Sequence, residues 1–254
     1  MSLRDKNKGL TVTDNKGSEG LSGTLQRAAK PSTAIAKPNN QALDAVLKAA
    51  AKNSGTVGTG RIGFVIDATG SRSASWKEAQ KIQAGMFDSV AQFGVMTLRL
   101  THFGGNMTQD HGWNKDSKTV TAKMSTVECE WGSTQILECL RKFLDDKPEA
   151  QAQSIVVIGD SFEEDSSEIA PLTALLKARK IKVFTFLEEG YSSAEPAFRQ
   201  LAEQTGGVFA AFGSDMPLKD LCEGVAMMST GGINALQKLQ SGAAKTLLLG
   251  VKPS

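Results

Sequence analysis

The sequence predicts an α/β protein in which helices cover both faces of a mostly parallel sheet. Residues 62–66 and 155–158 are near-continuous apolar runs, which are typical of strands buried on both sides. Amphipathic helical segments alternate with such runs along most of the chain. Because strands that alternate with helices form parallel βαβ units, we expect a three-layer, doubly wound, Rossmann-like domain with six strands.

Six short apolar, β-branched or aromatic runs are the predicted strands of this sheet. They cover residues 61–66, 96–103, 119–124, 154–159, 181–187 and 208–212. Apolar residues spaced by three or four predict helices that pack on the sheet, over residues 73–93, 136–144 and 169–176.

The connection between the second and third predicted strands breaks the alternation. Residues 104–117 are rich in Gly, Asn and Asp and are too polar for a covering helix. A loop without a helix joins strands that run in opposite directions. We therefore predict a hairpin at one edge of the sheet, with residues 119–124 as a single antiparallel edge strand.

The ends of the chain differ in composition from the predicted domain, which we place at residues 60–230. Residues 1–55 carry nine basic and four acidic side chains and few large apolar ones, which predicts a flexible basic arm. Within it, an apolar stripe over about residues 41–52 predicts a short amphipathic helix that docks on the domain or binds a partner. Residues 231–254 are predicted to form a helical tail that docks on the domain or on a second copy.

Composition and charge narrow the classes of function. Hydrophobic residues make up 40% of the 254 residues and charged residues 22%, as in folded globular proteins. The 29 basic and 27 acidic residues nearly cancel, so charge gives no reason to expect a nucleic acid or a membrane as partner. The sequence has three cysteines without metal-binding spacing and no apolar run of membrane-spanning or signal-peptide type, which predicts a cytoplasmic location.

Side chains with oxygen atoms follow three of the predicted strands. Asp67, Thr69 and Ser71 stand at alternate positions after the first strand, Thr134 comes after the third, and Asp160 comes after the fourth. Because ligands of doubly wound sheets bind at the carboxyl ends of the strands, these loops should converge on one edge. Such oxygens favour Mg²⁺, or Mn²⁺ or Ca²⁺, whereas zinc prefers His and Cys ligands.

The order of these five residues resembles the metal-ion-dependent adhesion site (MIDAS) of von Willebrand factor A (VWA) domains. That site reads Asp-x-Ser-x-Ser, then a Thr on a second loop, then an Asp after the fourth strand. The resemblance covers about residues 60–230. The sequence also looks like a bacterial subgroup of free-standing VWA domains. Thr69 replaces the usual Ser but keeps the hydroxyl, and Ser161 stands where the family usually has Gly.

The resemblance implies a module that binds another protein through a divalent cation. Neutral hydroxyl ligands, Ser71 and Thr134, leave the cation incompletely neutralised, and octahedral Mg²⁺ takes a sixth ligand. An Asp or Glu of a partner protein would fill that position. By the same resemblance, the partner is expected among ATPase, chaperone-like or stress-response machineries, with the chain acting as an adaptor or assembly subunit.

Other functions remain open for the same residues. A self-associating scaffold would use the arm and the tail and keep only a vestigial metal site. A metal-dependent phosphohydrolase would use Asp67 as nucleophile, although the sequence offers neither a second acid beside it nor a phosphate-binding loop. Asp67 and Asp160 could each also cap a following helix.

Further polar and aromatic residues allow two interpretations each. His102 and His111 are expected to be buried or solvated rather than to bind metal. Trp113 is either a partner anchor or packs back onto the edge strand. The acidic run at residues 163–165 is either a solvated helix start or an electronegative rim of the metal site.

Overall fold

A sheet with helices on both faces forms the part of the chain that the computed structural model describes, namely residues 59–74, 76–91, 95–188, 190–213 and 217–236. Its strands are β1 (Thr59–Asp67), β2 (Val95–Gly104), β3 (Met107–Asn114), β4 (Ser154–Gly159), β5 (Lys182–Glu188) and β6 (Phe209–Phe212). They are ordered β3-β2-β1-β4-β5-β6, and only the β2–β3 pair is antiparallel. The predicted fold class, with one antiparallel edge strand, is confirmed.

Two apolar cores hold the helices on the sheet. The helices are α1 (Trp76–Ala91), α2 (Ser117–Met124), α3 (Ile136–Arg141), α4 (Ile169–Ala178), α5 (Glu195–Thr205) and α6 (Leu218–Leu236). One core joins α1, α2 and α6 to Phe64 and Ile66 of β1, and the other joins α3, α4 and α5 to Val65. Consecutive β1 side chains therefore enter opposite cores, which explains the continuous apolar run at residues 62–66.

The third predicted strand is wrong, because residues 119–124 belong to α2. Asp116 precedes this helix, and its carboxylate accepts hydrogen bonds from two backbone N–H groups of the first turn. Such a cap satisfies donors that a helix otherwise leaves unpaired. Val120 and Met124 lie one turn apart and are both buried. The cap and this spacing outweigh the β-branched composition that favoured a strand.

The antiparallel edge strand, β3, lies in the segment that we predicted as a loop, residues 104–117. Gly105 and Asn106 connect β2 to β3, and both have positive φ, 60° and 58°. Two-residue hairpin turns of type I′ require this conformation. The strand is polar because it lies at the sheet edge and is only partly buried. The hairpin is therefore present, but it is built from different residues.

Several predictions concern the ends of the chain. The arm at residues 1–55 and its helix over about residues 41–52 lie outside the described residues. The helix α6 continues through Leu236, and the rest of the tail predicted at 231–254 also lies outside them. None of the helices in the described ranges is long and apolar enough to cross a bilayer.

Candidate metal site

The two predicted metal-binding acids lie side by side at the carboxyl edge of the sheet. Asp67 ends β1, Asp160 directly follows β4, and these strands are parallel neighbours with Ile66 paired to Ile158. Strand order reverses between β1 and β4, which is where doubly wound sheets place their ligands. A Cβ atom on Gly159 would lie 3.1 Å from Asp67 Oδ2, so a residue without a side chain lets the two strand ends approach closely.

The first loop gathers three of the predicted residues into one hydrogen-bonded group. The backbone N–H and the hydroxyl of Thr69 both donate to Asp67 Oδ1, at 2.8 and 2.7 Å. The Thr69 hydroxyl also lies 3.0 Å from the hydroxyl of Ser71. Thr69 is buried and Ser71 is exposed, so the group extends from the interior to the surface.

The carboxylates have more acceptor atoms than the described protein groups satisfy. Asp67 Oδ2 and both carboxylate oxygens of Asp160 are buried and meet no hydrogen-bond donor in the described part of the chain. Burial, with a smaller contribution from the nearby Asp160, raises the pKa of Asp67 to about 6, although the Thr69 hydrogen bonds and Arg72 lower it. A buried carboxylate without a partner is costly, so these three atoms mark a site that suits a cation.

The chemistry of the donor set fits a hard divalent cation. Two carboxylates and three hydroxyls supply only oxygen ligands, as Mg²⁺ and Ca²⁺ prefer. Among the described residues, no group of three or more His, Cys, Asp or Glu side chains could hold a metal ion. The candidate site is of a different type, because most of its ligands would be neutral hydroxyls.

The loop that carries Thr134 is fastened to the segment after β4. The Thr134 hydroxyl accepts a hydrogen bond from the backbone N–H of Glu163 at 2.8 Å, and its own N–H lies 3.3 Å from the Glu163 carboxylate. Glu164 accepts from the N–H groups of Ile136 and Leu137, both at 2.8 Å, and so caps α3. The loop follows α2 rather than a third strand, which corrects the predicted context of Thr134.

The acidic run at residues 163–165 thus has structural partners. Glu163 and Glu164 bind the backbone of the Thr134 loop and of α3, while Asp165 accepts from the N–H of Ser167 at 2.9 Å. The helix that Glu164 caps comes earlier in the chain, which sequence spacing alone does not reveal. These contacts place Thr134 beside the segment that carries Asp160.

Sequence reasoning missed two residues that shape the site. Arg72 is buried, donates from Nη1 to the backbone carbonyl of Asp67 at 2.8 Å, and forms a 3.2 Å ion pair with Glu188 at the end of β5. Trp131 is 81% exposed and packs over Gly70, where a Cβ atom would come within 2.5 Å of the indole. Their positions in the sequence could have identified both residues, because Arg72 directly follows the motif and Trp131 lies three residues before Thr134.

The β2–β3 hairpin carries His102, His111 and Trp113, and all three side chains contact other groups of the domain. His111 Nε2 lies 3.1 Å from His102 Nδ1 and the rings stack, so the two imidazoles bind each other. Trp113 packs back onto the domain, with its indole N–H donating to Asp146 at 3.0 Å and the Arg61 guanidinium 4.2 Å from its ring centre. Trp113 is therefore part of the edge structure.

Solved structures with the same fold include VWA domains. BatB from Bacteroides thetaiotaomicron is 11% identical over 66% of this chain and 95% of its own, with a TM-score of 0.53. The SpRpn10 VWA domain is 12% identical over 63% and 92% of the chains, with a TM-score of 0.52. Proximal thread matrix protein 1 from the mussel byssus, in a structure with a zinc-occupied MIDAS motif, is 17% identical over 67% and 45%, with a TM-score of 0.53.

No family model matches the sequence, and no curated protein matches it. Because these structures are 11%, 12% and 17% identical to this chain, the likeness establishes the fold alone. The strand order, the single antiparallel edge strand and the placement of the acids at the carboxyl edge agree with that architecture. The described part of this chain has the fold of von Willebrand factor A domains.

Proposed function

We propose that this domain is a metal-dependent protein-interaction module that binds Mg²⁺ through Asp67, Thr69, Ser71, Thr134 and Asp160. The observation that carries the proposal is the set of three buried carboxylate oxygens without hydrogen-bond donors in the described residues. A divalent cation compensates both charges at once, which buried acids require. Mg²⁺ retains water in part of its shell, so positions stay available for exchange with a partner ligand.

The partner in this proposal supplies an Asp or Glu carboxylate. The five protein oxygens leave the sixth position of octahedral Mg²⁺ open, and the hydroxyls of Thr69, Ser71 and Thr134 are neutral ligands, so a carboxylate oxygen of a partner can complete the shell. Ser71 and Trp131 are both exposed at this edge, which gives a partner access to the site and an aromatic surface beside it. We place the partner among ATPase or chaperone-like machineries, as the resemblance implies.

The first experiment tests the metal site by thermal unfolding of the full chain in Mg²⁺ and in chelator. Mg²⁺ should raise the unfolding temperature of the wild type and leave that of Asp67→Asn unchanged, because only the native state holds the ion. Asp165→Asn is the matched control, since Asn also caps a helical turn and Asp165 lies on the surface. Equal responses in wild type and Asp67→Asn would remove the proposed site.

The second experiment tests the role of the metal by capture of partners from a cell lysate on the immobilised full chain. Partners should bind in Mg²⁺ and be released by chelator, and Thr134→Ala should not capture them. Binding that persists under both treatments would favour the self-associating scaffold, which light scattering of the purified chain would then reveal. Turnover of a phosphoester that is lost in Asp67→Asn would instead support the hydrolase.

A further inference from the structure

A cavity of about 660 Å³ lies between α1 and the start of α6, beside the ends of β5 and β6. Its volume is within the range of about 300–1,000 Å³ that small-molecule sites occupy. Apolar residues of both helices and of the segment between β6 and α6 form much of its wall: Ala79, Ile82, Phe212, Pro217 and Leu218. Ile82 is 43% exposed, so a ligand in the cavity would remove apolar surface from water. None of the described residues that line the cavity is one of the five candidate metal ligands.

The charged side chains that line the cavity have an excess of positive charge. Arg72, Lys81 and Lys219 are cationic, and Glu188 is the one acid among the described residues of the lining. Arg72 and Glu188 form a 3.2 Å ion pair, so their charges offset each other. The positive charge that a ligand meets is therefore that of Lys81 on α1 and Lys219 on α6. Both lysines are exposed, so their long side chains can turn toward a group in the cavity.

The ammonium group of Lys219 can exchange its present partner for a ligand. Its side chain is 54% exposed, and its ion pair with Glu223 is long, at 3.7 Å. Glu223 keeps a second partner, because the side chain of Ser89 hydrogen-bonds to it. Lys219 also lies in the first turn of α6, where the helix dipole adds positive potential, and Asp220 of the same turn does not line the cavity. This end of the cavity therefore favours an anionic group.

We propose that the cavity binds a small amphipathic anion, namely an apolar molecule that carries one carboxylate. The carboxylate pairs with the ammonium groups of Lys81 and Lys219, and the apolar part of the molecule covers Ile82 and Phe212. Burial of apolar surface supplies most of the binding free energy, because ion pairs at exposed positions contribute little. The two lysines select the anion over a neutral molecule of the same shape. This site is independent of the proposed metal site and does not require that site to exist.

The test is calorimetric titration of the full chain with naphthalene-2-carboxylate and with naphthalene-2-carboxamide, a neutral compound of similar shape. EDTA is present throughout, so that failure of the metal site cannot affect the result. Wild type should bind the carboxylate about tenfold more tightly than the carboxamide, which is the factor that two partly exposed ion pairs supply. The double variant Lys81→Gln/Lys219→Gln should lose that preference. Lys77→Gln/Lys177→Gln is the matched control, because it removes the same charge from exposed residues outside the lining, and it should keep the preference.

A substitution at Gly85 tests whether the probe occupies the cavity. Gly85 lines the cavity, and a Cβ atom there would meet nothing within 4 Å, so Gly85→Leu places a large side chain in open space. Gly85→Ala is its matched control, because both variants remove a helical glycine but only Leu occupies much of the cavity. Both replacements favour the helical conformation, so folding is expected to be retained. Gly85→Leu should bind neither compound, whereas Gly85→Ala should bind both as the wild type does.

Three outcomes would overturn the proposal. The first is the absence of saturable binding of the carboxylate to the wild type. The second is a wild type that binds the two compounds equally, or an unchanged preference in Lys81→Gln/Lys219→Gln, because either result would mean that the two lysines do not hold the anion. The third is unchanged binding in Gly85→Leu, which would place the probe elsewhere on the protein.

Discussion

Two clusters of charged residues in the described part of the chain differ in how their carboxylates are paired. At the β2–β3 edge, the guanidinium of Arg99 donates to Asp110 at 2.9 and 2.5 Å and to Asp146 at 2.9 Å. Trp113 donates a further hydrogen bond to Asp146. At the carboxyl edge of the sheet, Asp67 and Asp160 together leave three oxygens without donors in the described residues.

This difference in hydrogen bonding indicates that the edge cluster is structural and that the carboxyl-edge cluster is a candidate binding site. In the edge cluster, the planar donors of Arg99 fit oxygens of both acids, and two further cations interact with them, Arg61 with Asp146 and Lys142 with Asp110. In the carboxyl-edge cluster, Arg72 directs Nη1 to the backbone carbonyl of Asp67 and pairs with Glu188, and its charge lowers the pKa of Asp67 less than burial raises it. The described residues therefore compensate the two acids only in part, and an external cation would compensate them further.

The largest expected effect comes from breaking the balanced cluster. Arg99→Met removes the buried guanidinium that donates to Asp110 and Asp146, and should lower the free energy of unfolding by about 2 kcal/mol, because solvent screens these partly exposed acids; urea denaturation measures the loss. Arg141→Met is the control, because its ion pair with Glu168 is solvent-exposed and contributes less than about 1 kcal/mol. Equal losses in both variants would mean that the buried cluster adds no special stability.

The unbalanced cluster should respond in the opposite direction. In chelator, Asp160→Asn removes a buried charge that has no hydrogen-bond donor among the described residues, and should raise the free energy of unfolding by about 1–2 kcal/mol. The same variant should show no stabilisation by Mg²⁺. A loss of stability in chelator would mean that Asp160 already has a compensating group, which would contradict the comparison between the two clusters.

The smallest expected effect on stability concerns the pair His102 and His111, because burial favours the neutral form of both imidazoles. Burial, together with the smaller effect of the neighbouring His111, lowers the pKa of His102 to about 4. The folded state therefore favours neutral His102, and stability falls as the pH drops below the unfolded pKa of about 6.5 toward the folded value. The loss in unfolding free energy should be about 1 kcal/mol between about pH 7 and about pH 5.5.

The double variant His102→Gln/His111→Gln is the reference for this measurement by urea denaturation. Asp67, with its raised pKa, changes stability in the opposite direction over this range, but it is present in both proteins and cancels in the difference. Identical pH profiles in the two proteins would show that the histidine pair does not titrate as its burial implies.

The sequence predicts most of the sheet correctly and fails at its edge. Central strands such as β1 and β4 are buried on both faces, so their apolar runs identify them without ambiguity. The edge strand β3 is polar on exposed positions, and its composition resembles a loop. The Gly105–Asn106 turn was the available signal for the hairpin, because glycine followed by asparagine readily adopts positive φ at both positions.

The sequence likewise predicts one part of the candidate site and misses another. The order and spacing of Asp67, Thr69 and Ser71 are local, so the sequence alone predicts that they share one loop. The supports of that loop come from distant segments. Glu188 pairs with Arg72 from a separation of 116 residues, and Glu164 caps a helix that begins 28 residues earlier. Contacts of this kind depend on how strands are ordered in the sheet, which local pattern does not encode.

The sequence by itself determined the fold class, the parallel central strands and the oxygen-bearing residues that follow β1 and β4, whereas it misplaced Thr134 after a strand. Hydrophobic periodicity and short-range spacing are sufficient for these features, because each depends on residues close together in the chain. Only the tertiary structure decided which polar groups are paired. It shows that Arg99 donates to both Asp110 and Asp146, whereas three carboxylate oxygens of Asp67 and Asp160 and the amide of Gln83 meet no partner among the residues that the structure describes. Pairing depends on which distant groups folding brings within hydrogen-bond distance, and burial sets how costly an unpaired group becomes.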